Sequence, residues 1–173
     1  MSEYALGVGC GIIFGLILLA VILKLTKTDG FMKCKYDERQ QLVRGRGFKY
    51  AFFTLMFYNV FYGILDVALE KRVMDNFTGM MIGIVLGAMV YAIYCIWNDG
   101  YFSLNENPRR VRIAFFAIGV FNLALAFWSI AHGTVMEDGI LTFRGANLFC
   151  GIMMLIICGV SFAKQQSTQK ETD

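Results

Sequence analysis

The sequence has few charged residues and only one proline. Asp, Glu, Lys and Arg make up 17% of its 173 residues, whereas a soluble domain usually carries about 25%. The charges also lie in short stretches that separate long apolar runs. This pattern excludes an ordinary soluble domain and indicates a chain that lies mostly in lipid.

The sequence also lacks the motifs of common hydrolases and nucleotide-binding enzymes. It has no H-E-x-x-H, G-x-S-x-G or P-loop pattern, and its one histidine, His132, lies at the end of an apolar run. Its five cysteines form no C-x-x-C pair, and four of them fall within apolar runs, so we expect reduced thiols. We therefore predict a non-enzymatic protein with no cofactor and no metal.

Five apolar runs are each long enough to cross a bilayer. A hydrocarbon core of about 30 Å needs about 20 apolar residues in a helix. The runs cover residues 5–25, 48–69, 77–97, 112–131 and 146–163. Backbone groups in lipid must be hydrogen-bonded within their own segment, so these runs are predicted to be helices. The predicted fold is an all-α membrane protein, with one five-helix domain over residues 1–164 and a disordered polar tail over 165–173.

The basic residues indicate how these helices are oriented. Thirteen of the sixteen Lys and Arg residues lie at the first connection, at the third connection or in the tail. Because Lys and Arg mark cytoplasmic connections, the N-terminus is predicted outside and the C-terminus in the cytoplasm. Basic residues beside the bilayer would also attract anionic lipids at the cytoplasmic face. We expect no nucleic-acid partner.

Two of the predicted helices carry glycine at every fourth position, a glycine-zipper pattern. The first helix has Gly7, Gly11 and Gly15, and the third has Gly79, Gly83 and Gly87. Such a stripe lets another backbone approach closely. Since both helices run from outside to inside, we predict that the first packs on the third within one protomer. The alternative is a homo-oligomer that forms through one of the stripes.

Two amides lie in the middle of apolar runs. Asn59 is near the centre of the second predicted helix and Asn122 near the centre of the fourth. Both helices run in the same direction, so the two amides lie at similar depth. We favour a hydrogen bond between them, which would stabilise the bundle by about 0.6–2 kcal/mol. A polar lining for a substrate path is the alternative.

Asp66 is the one carboxylate inside an apolar run. It lies about 27 Å along the helix axis from the start of its run, which is near the outer interface. We favour an ion pair there with Lys71, Arg72 or Arg144. A proton- or cation-coupling site is the alternative.

The first and third connections are more patterned than topology requires. Residues 36–40 read Y-D-E-R-Q, and residues 98–105 read N-D-G-Y-F-S-L-N. Asp37 followed by Gln40 is typical of a helix N-terminus, and Pro108 marks the start of the fourth helix. We predict one cytoplasmic surface that docks a partner or shapes a gate. Its residues are Asp37, Glu38, Arg39, Gln40, Asp99, Asn105 and Arg109.

These two segments resemble those of a group of uncharacterised small bacterial polytopic membrane proteins, which carry D-E-R-Q between their first two helices. The resemblance implies a bacterial inner-membrane protein and supplies no catalytic residues. Our first hypothesis is a non-enzymatic accessory protein that acts through its cytoplasmic loops, with a membrane-protein partner or a second copy of itself. The alternative is a small oligomeric transporter or channel for protons, cations or a small solute, lined by Asn59, Asp66 and Asn122.

Overall fold

The computed structural model describes residues 3–29, 33–69 and 72–170, and for residues 3–12 it describes the helical backbone only. The described chain is mostly helical, with one short hairpin as its only regular strands, which confirms the all-α class. Its five α-helices are α1 (Glu3–Thr26), α2 (Glu38–Ala68), α3 (Asn76–Trp97), α4 (Pro108–Ala131) and α5 (Ala146–Lys170). A hairpin of β1 (Met136–Glu137) and β2 (Ile140–Leu141), followed by a 3₁₀ turn at Phe143–Gly145, joins α4 to α5.

Four of the helices, α2 to α5, are long and apolar enough to cross a membrane. The side chains of α1 are described only from Ile13 onward, and the apolar stretch Ile13–Thr26 is shorter than a full span. Four candidate spans are therefore established for the described residues. The fifth span and the orientation stay predictions.

The helices α2 and α4 begin where local capping signals place them. Asp37 accepts a hydrogen bond from the Gln40 N–H at 2.6 Å, and the Gln40 side chain accepts one from the Asp37 N–H at 3.3 Å. This capping box confirms the predicted helix start at Asp37 and extends α2 ten residues ahead of its apolar run. Pro108 occupies the first turn of α4, and Asn107 caps it.

The end of α5 differs from the expectation. Residues 165–170 were predicted to belong to a disordered tail, but α5 continues to Lys170. The Gln and Lys residues of this segment are good helix formers, so the helix can continue after it leaves the apolar run. Residues 171–173 lie outside the described part of the chain.

The main contacts between helices run in the order α2–α3–α5–α4–α1. The buried core lies between α3 and α5. Val85, Ala92 and Ile96 of α3 pack there with Met153 and Ile157 of α5. The outer helices α1 and α2 therefore have large apolar surfaces that no other described helix covers.

The glycine stripe of α3 packs on α2. A Cβ atom at Gly79 would lie 2.6 Å from Cζ of Tyr62, and one at Gly83 would lie 2.7 Å from Cδ1 of Tyr58. The tyrosine rings of α2 thus rest directly on the α3 backbone, which only glycine permits. The predicted pairing of this stripe with α1 is wrong, because α2 already occupies that face of α3.

The stripe of α1 has no such role in its described part. A Cβ atom at Gly15 would meet nothing within 4 Å. Gly7 and Gly11 belong to the helical backbone, but their surroundings lie outside what the structure describes. The main contacts of α1 are with α4.

Candidate functional site

The first and third connections lie against each other at one end of the helix bundle. Two backbone hydrogen bonds join the two connections, and a third joins the third connection to the end of α1. They run from Thr28 N–H to Asn105 O (3.0 Å), from Leu104 N–H to Lys35 O (2.8 Å) and from Asn107 N–H to Thr26 O (3.0 Å). We call residues 27–29, 33–40 and 98–107 the polar cap.

A buried ion pair lies at the centre of the polar cap. Lys27 Nζ is 2.7 Å from Glu106 Oε1, and the two side chains are 0% and 11% exposed. Nζ also donates to Ser103 Oγ at 3.1 Å and to Cys34 Sγ at 2.9 Å. The second Glu106 oxygen accepts the Ser103 N–H at 2.9 Å. All three donors of the ammonium are therefore used, as a buried charge requires.

These contacts keep both members of the pair charged. Burial by itself lowers the pKa of Lys27, but its hydrogen bonds to Cys34 and Glu106 and the Glu106 charge raise that pKa above 10.5 overall. Burial by itself raises the pKa of Glu106, but the Lys27 and Ser103 hydrogen bonds hold that pKa below 4.5 overall. At neutral pH the centre of the polar cap is therefore a fully ionised pair.

Asn105 organises the first connection from inside the polar cap. Its amide nitrogen donates to both carboxylate oxygens of Asp29, at 3.1 and 3.2 Å, and to Lys33 O at 2.9 Å. Its carbonyl oxygen accepts from the Lys35 N–H at 3.1 Å and from Ser103 Oγ at 2.9 Å. Asn105 is only 5% exposed. It was predicted as a surface residue, and that placement is wrong because its side chain is consumed by these bonds.

The D-E-R-Q segment contacts the third connection directly. Gln40 Nε2 donates to Phe102 O at 3.0 Å and to Asp99 O at 3.3 Å. Arg39 Nη2 lies 3.8 Å from Asp99 Oδ2 and donates to Asn98 O at 3.5 Å. The Arg39 side chain is 72% exposed, so this ion pair contributes little to stability.

The network leaves four charged side chains exposed on the first connection and the start of α4. Asp37, Glu38, Arg39 and Arg109 are exposed. We call these four residues the charged face. Only part of the predicted surface therefore remains available to a partner, since Gln40 and Asn105 are used internally.

Comparison with family models, with curated proteins and with solved structures finds no match to this chain.

The two intramembrane amides do not meet. Asn59 Nδ2 donates to Leu55 O at 2.9 Å, and Asn122 Nδ2 donates to Ile118 O at 2.9 Å. Each amide is thus satisfied by the carbonyl four residues earlier in its own helix. The predicted hydrogen bond between them is wrong, because α3 and α5 separate α2 from α4 in the order of helix contacts.

Asp66 lies near a basic residue at the other end of α2. Its Oδ1 is 3.8 Å from Arg72 Nε, and the side chains are 37% and 59% exposed. Lys71 lies outside the described residues, and Arg144 pairs instead with Glu137 at 3.5 Å. The ion pair with Arg72 agrees with the favoured interpretation of Asp66. Among the described residues, no hydrogen bond or ion pair links Asn59, Asp66 and Asn122 to one another.

Sequence reasoning missed the centre of the polar cap. Lys27, Cys34 and Ser103 carry no motif, and Lys27 is 79 residues from Glu106. In sequence, Lys27 is one more basic residue of a cytoplasmic connection. Its burial follows only from the close approach of the two connections.

Proposed function

We propose that this chain is a multi-pass inner-membrane protein with five spans, its N-terminus outside and its polar cap in the cytoplasm. It acts without catalysis, by docking a protein partner on the charged face. The observation that carries the proposal is the buried Lys27–Glu106 pair, which fixes two separate connections while four charges beside it stay exposed.

The rigidity of the polar cap supports docking. A connection that served topology alone could satisfy its backbone groups with water. Here the ion pair, the five hydrogen bonds of Asn105 and the Gln40 bonds order both connections before any partner arrives. A surface ordered in advance loses less conformational entropy on binding, so more of the contact free energy appears as affinity.

The chemistry of the charged face indicates the kind of partner. Acidic Asp37 and Glu38 lie beside basic Arg39. A purely basic surface would be explained by anionic lipid alone. A face of mixed sign instead favours a protein surface with complementary charges, which steers association and fixes orientation.

The transporter alternative has no comparable support. Asn59 bonds within α2, Asn122 bonds within α4, and Asp66 lies near Arg72. Proton or cation flux through liposomes that Asp66→Asn abolishes would revive it.

The docking proposal is tested by photo-cross-linking in native membranes. A photoreactive residue at Glu38 or Arg109 should give one discrete protein adduct, whereas the same residue at Asp138, in the β1–β2 turn, should not. Arg39→Glu should reduce the Glu38 adduct at least five-fold, about 1 kcal/mol for one rim charge. Arg46→Glu, an equal charge change two turns further along α2, should not.

Equal adducts from Glu38 and Asp138, or equal loss with both charge reversals, would contradict docking at the charged face.

The topology has its own test. A reporter fused after Asp173 should be cytoplasmic, and one inserted at Gly139 should be outside. A reporter after Asp173 on the outer face would overturn the orientation.

A further inference from the structure

A cavity of about 400 Å³ opens beside the polar cap, between the end of α3, the start of α4 and the end of α5. Its apolar wall includes Ile96 and Phe102. Its polar wall includes Arg112, Ser161 and Lys164. These residues lie where the apolar parts of α4 and α5 give way to polar ends, which is the depth of lipid headgroups.

The cavity has an excess of positive charge. Among the described residues, the half-buried Arg112 guanidinium has no hydrogen bond or ion pair. Lys164 Nζ lies 3.3 Å from Asp99 Oδ2, and the same carboxylate also faces Arg39. Of the two cations that line the cavity, Lys164 is paired with Asp99, and Arg112 has no charged partner among the described residues.

A buried hydroxyl on the same wall also lacks a partner. Ser161 is 4% exposed, and no residue in the described part of the chain hydrogen-bonds to its Oγ. Leaving a buried hydroxyl unsatisfied is unfavourable, so such groups call for an explanation. A hydroxyl donor beside an unpaired guanidinium suits an anionic oxygen acceptor.

An apolar groove of about 470 Å³ adjoins this cavity and shares Arg112 with it. The groove runs between α4 and α5 and is lined by Ile113, Phe116, Leu155, Cys158, Gly159 and Phe162. A Cβ atom at Gly159 would meet nothing within 4 Å, so this glycine leaves the groove open. A cation with an apolar groove on one side and a polar cavity on the other matches the two parts of a phospholipid.

We propose that Arg112, Lys164 and Ser161 bind the phosphate of an anionic glycerophospholipid, with one acyl chain in the groove between α4 and α5. Arg112 lies at the boundary between the polar cavity and the apolar groove, where the lipid phosphate would meet the acyl region. The groove favours a lipid over a free anion, because a soluble phosphate would gain nothing from it. This site does not depend on partner docking, although Asp99 belongs to both the polar cap and the cavity.

Two kinds of variant separate the two parts of the site. Arg112→Gln with Lys164→Gln removes the phosphate contacts, and Arg46→Gln with Lys49→Gln removes the same charge from exposed positions of α2. Gly159→Leu fills the groove. Gly63→Leu is its matched control, because a Cβ atom at Gly63 of α2 also meets nothing within 4 Å.

The experiment is native mass spectrometry of the purified full chain in detergent, titrated with phosphatidylglycerol. The wild type should retain one lipid at concentrations where phosphatidylcholine gives none. Affinity should fall about five-fold for each cation removed and about thirty-fold for the double variant. Gly159→Leu should also lose the retained lipid, whereas both control variants should keep it.

Three results would overturn the proposal. Equal losses in the site and control variants would mean general attraction to basic residues. A Gly159→Leu variant that keeps the lipid would mean that no acyl chain lies in the groove. Millimolar inorganic phosphate that raises the melting temperature in an Arg112-dependent way, without lipid retention, would assign the site to free phosphate. Because Gly159→Leu changes no charge, it tests the site even if the double Gln variant fails to fold.

Discussion

Removing the ammonium of Lys27 should open the polar cap while the membrane helices stay folded. The substitution Lys27→Met keeps the apolar length of the side chain but deletes the group that contacts Glu106, Ser103 and Cys34. Glu106 would remain as a nearly buried carboxylate, with the Ser103 N–H at 2.9 Å and the Cys34 thiol at 3.9 Å as its remaining donors in the described structure. An uncompensated buried charge is the most costly outcome of breaking such a pair.

The expected cost follows from the burial of the pair. Removing one partner of a buried ion pair destabilises the folded structure by about 3–5 kcal/mol. Glu106 is 11% exposed and keeps one backbone donor, so we take the lower limit. About 3 kcal/mol corresponds to an opening equilibrium about 150-fold more favourable than in the wild type.

Hydrogen exchange followed by mass spectrometry measures this opening directly. The amides of Thr28, Leu104 and Asn107 are hydrogen-bonded across the polar cap, so their exchange should accelerate about 150-fold. Amides in the middle of α3 should exchange at the wild-type rate. Lys35→Met is the matched control. Its ion pair with Asp29 is nearly as short, at 2.9 Å against 2.7 Å, but Lys35 is 61% exposed, so the acceleration should stay below about five-fold.

A second substitution tests the reason for the effect. Lys27→Met combined with Glu106→Leu leaves no unpaired charge, so most of the protection should return. If Lys27→Met accelerates exchange no more than Lys35→Met, the pair does not hold the polar cap together. If the double variant exchanges as fast as the single one, the cost does not come from the stranded carboxylate.

The remaining predictions concern pH, the glycine stripe and the intramembrane amide. Exchange protection of the polar cap should be constant near neutral pH, after correction for intrinsic rates. It should fall below about pH 4.5, as Glu106 with its lowered pKa becomes protonated, and above about pH 10.5, as Lys27 with its raised pKa loses its proton. Gly83→Leu should destabilise the protein by about 1–3 kcal/mol in detergent melting, because its Cβ would meet a tyrosine ring at 2.7 Å, whereas Gly63→Leu should not. Asn59→Ala should change stability by less than about 0.6 kcal/mol, because its amide bonds only within its own helix.

Local signals in the sequence predicted the helices well. Hydrophobic length indicated the helical class, and α2 to α5 each overlap a predicted run, although α2 begins earlier and α5 ends later than its run. The capping box of Asp37 and Gln40 and the position of Pro108 marked two helix starts correctly. Each of these features depends on residues within a few positions of one another, so one sequence suffices to detect it.

Pairwise contacts between distant segments could not be predicted in this way. A glycine stripe indicates that a backbone or an aromatic ring of another segment packs closely on the helix. The spacing of the glycines is the same whether that segment is α1 or the tyrosines of α2. Likewise, nothing near Asn105 indicates that its amide will be buried, because its partners Asp29 and Lys33 lie more than seventy residues away. The polar cap is a tertiary feature, and only the fold brings its members together.

The polar cap also ties the outermost helices to the inner three. Helix α1 has few contacts with the other helices, whereas α2 packs along α3 through its tyrosine rings. The end of α1 is held instead by the Asn107 bond to Thr26, and the start of α2 by the Gln40 bond to Phe102. Substituting Gln40 would therefore loosen the bundle and disturb the charged face together. Substituting Glu38 changes only an exposed charge. If Glu38→Lys abolishes partner binding while the exchange protection of the polar cap is retained, the variant has lost docking itself.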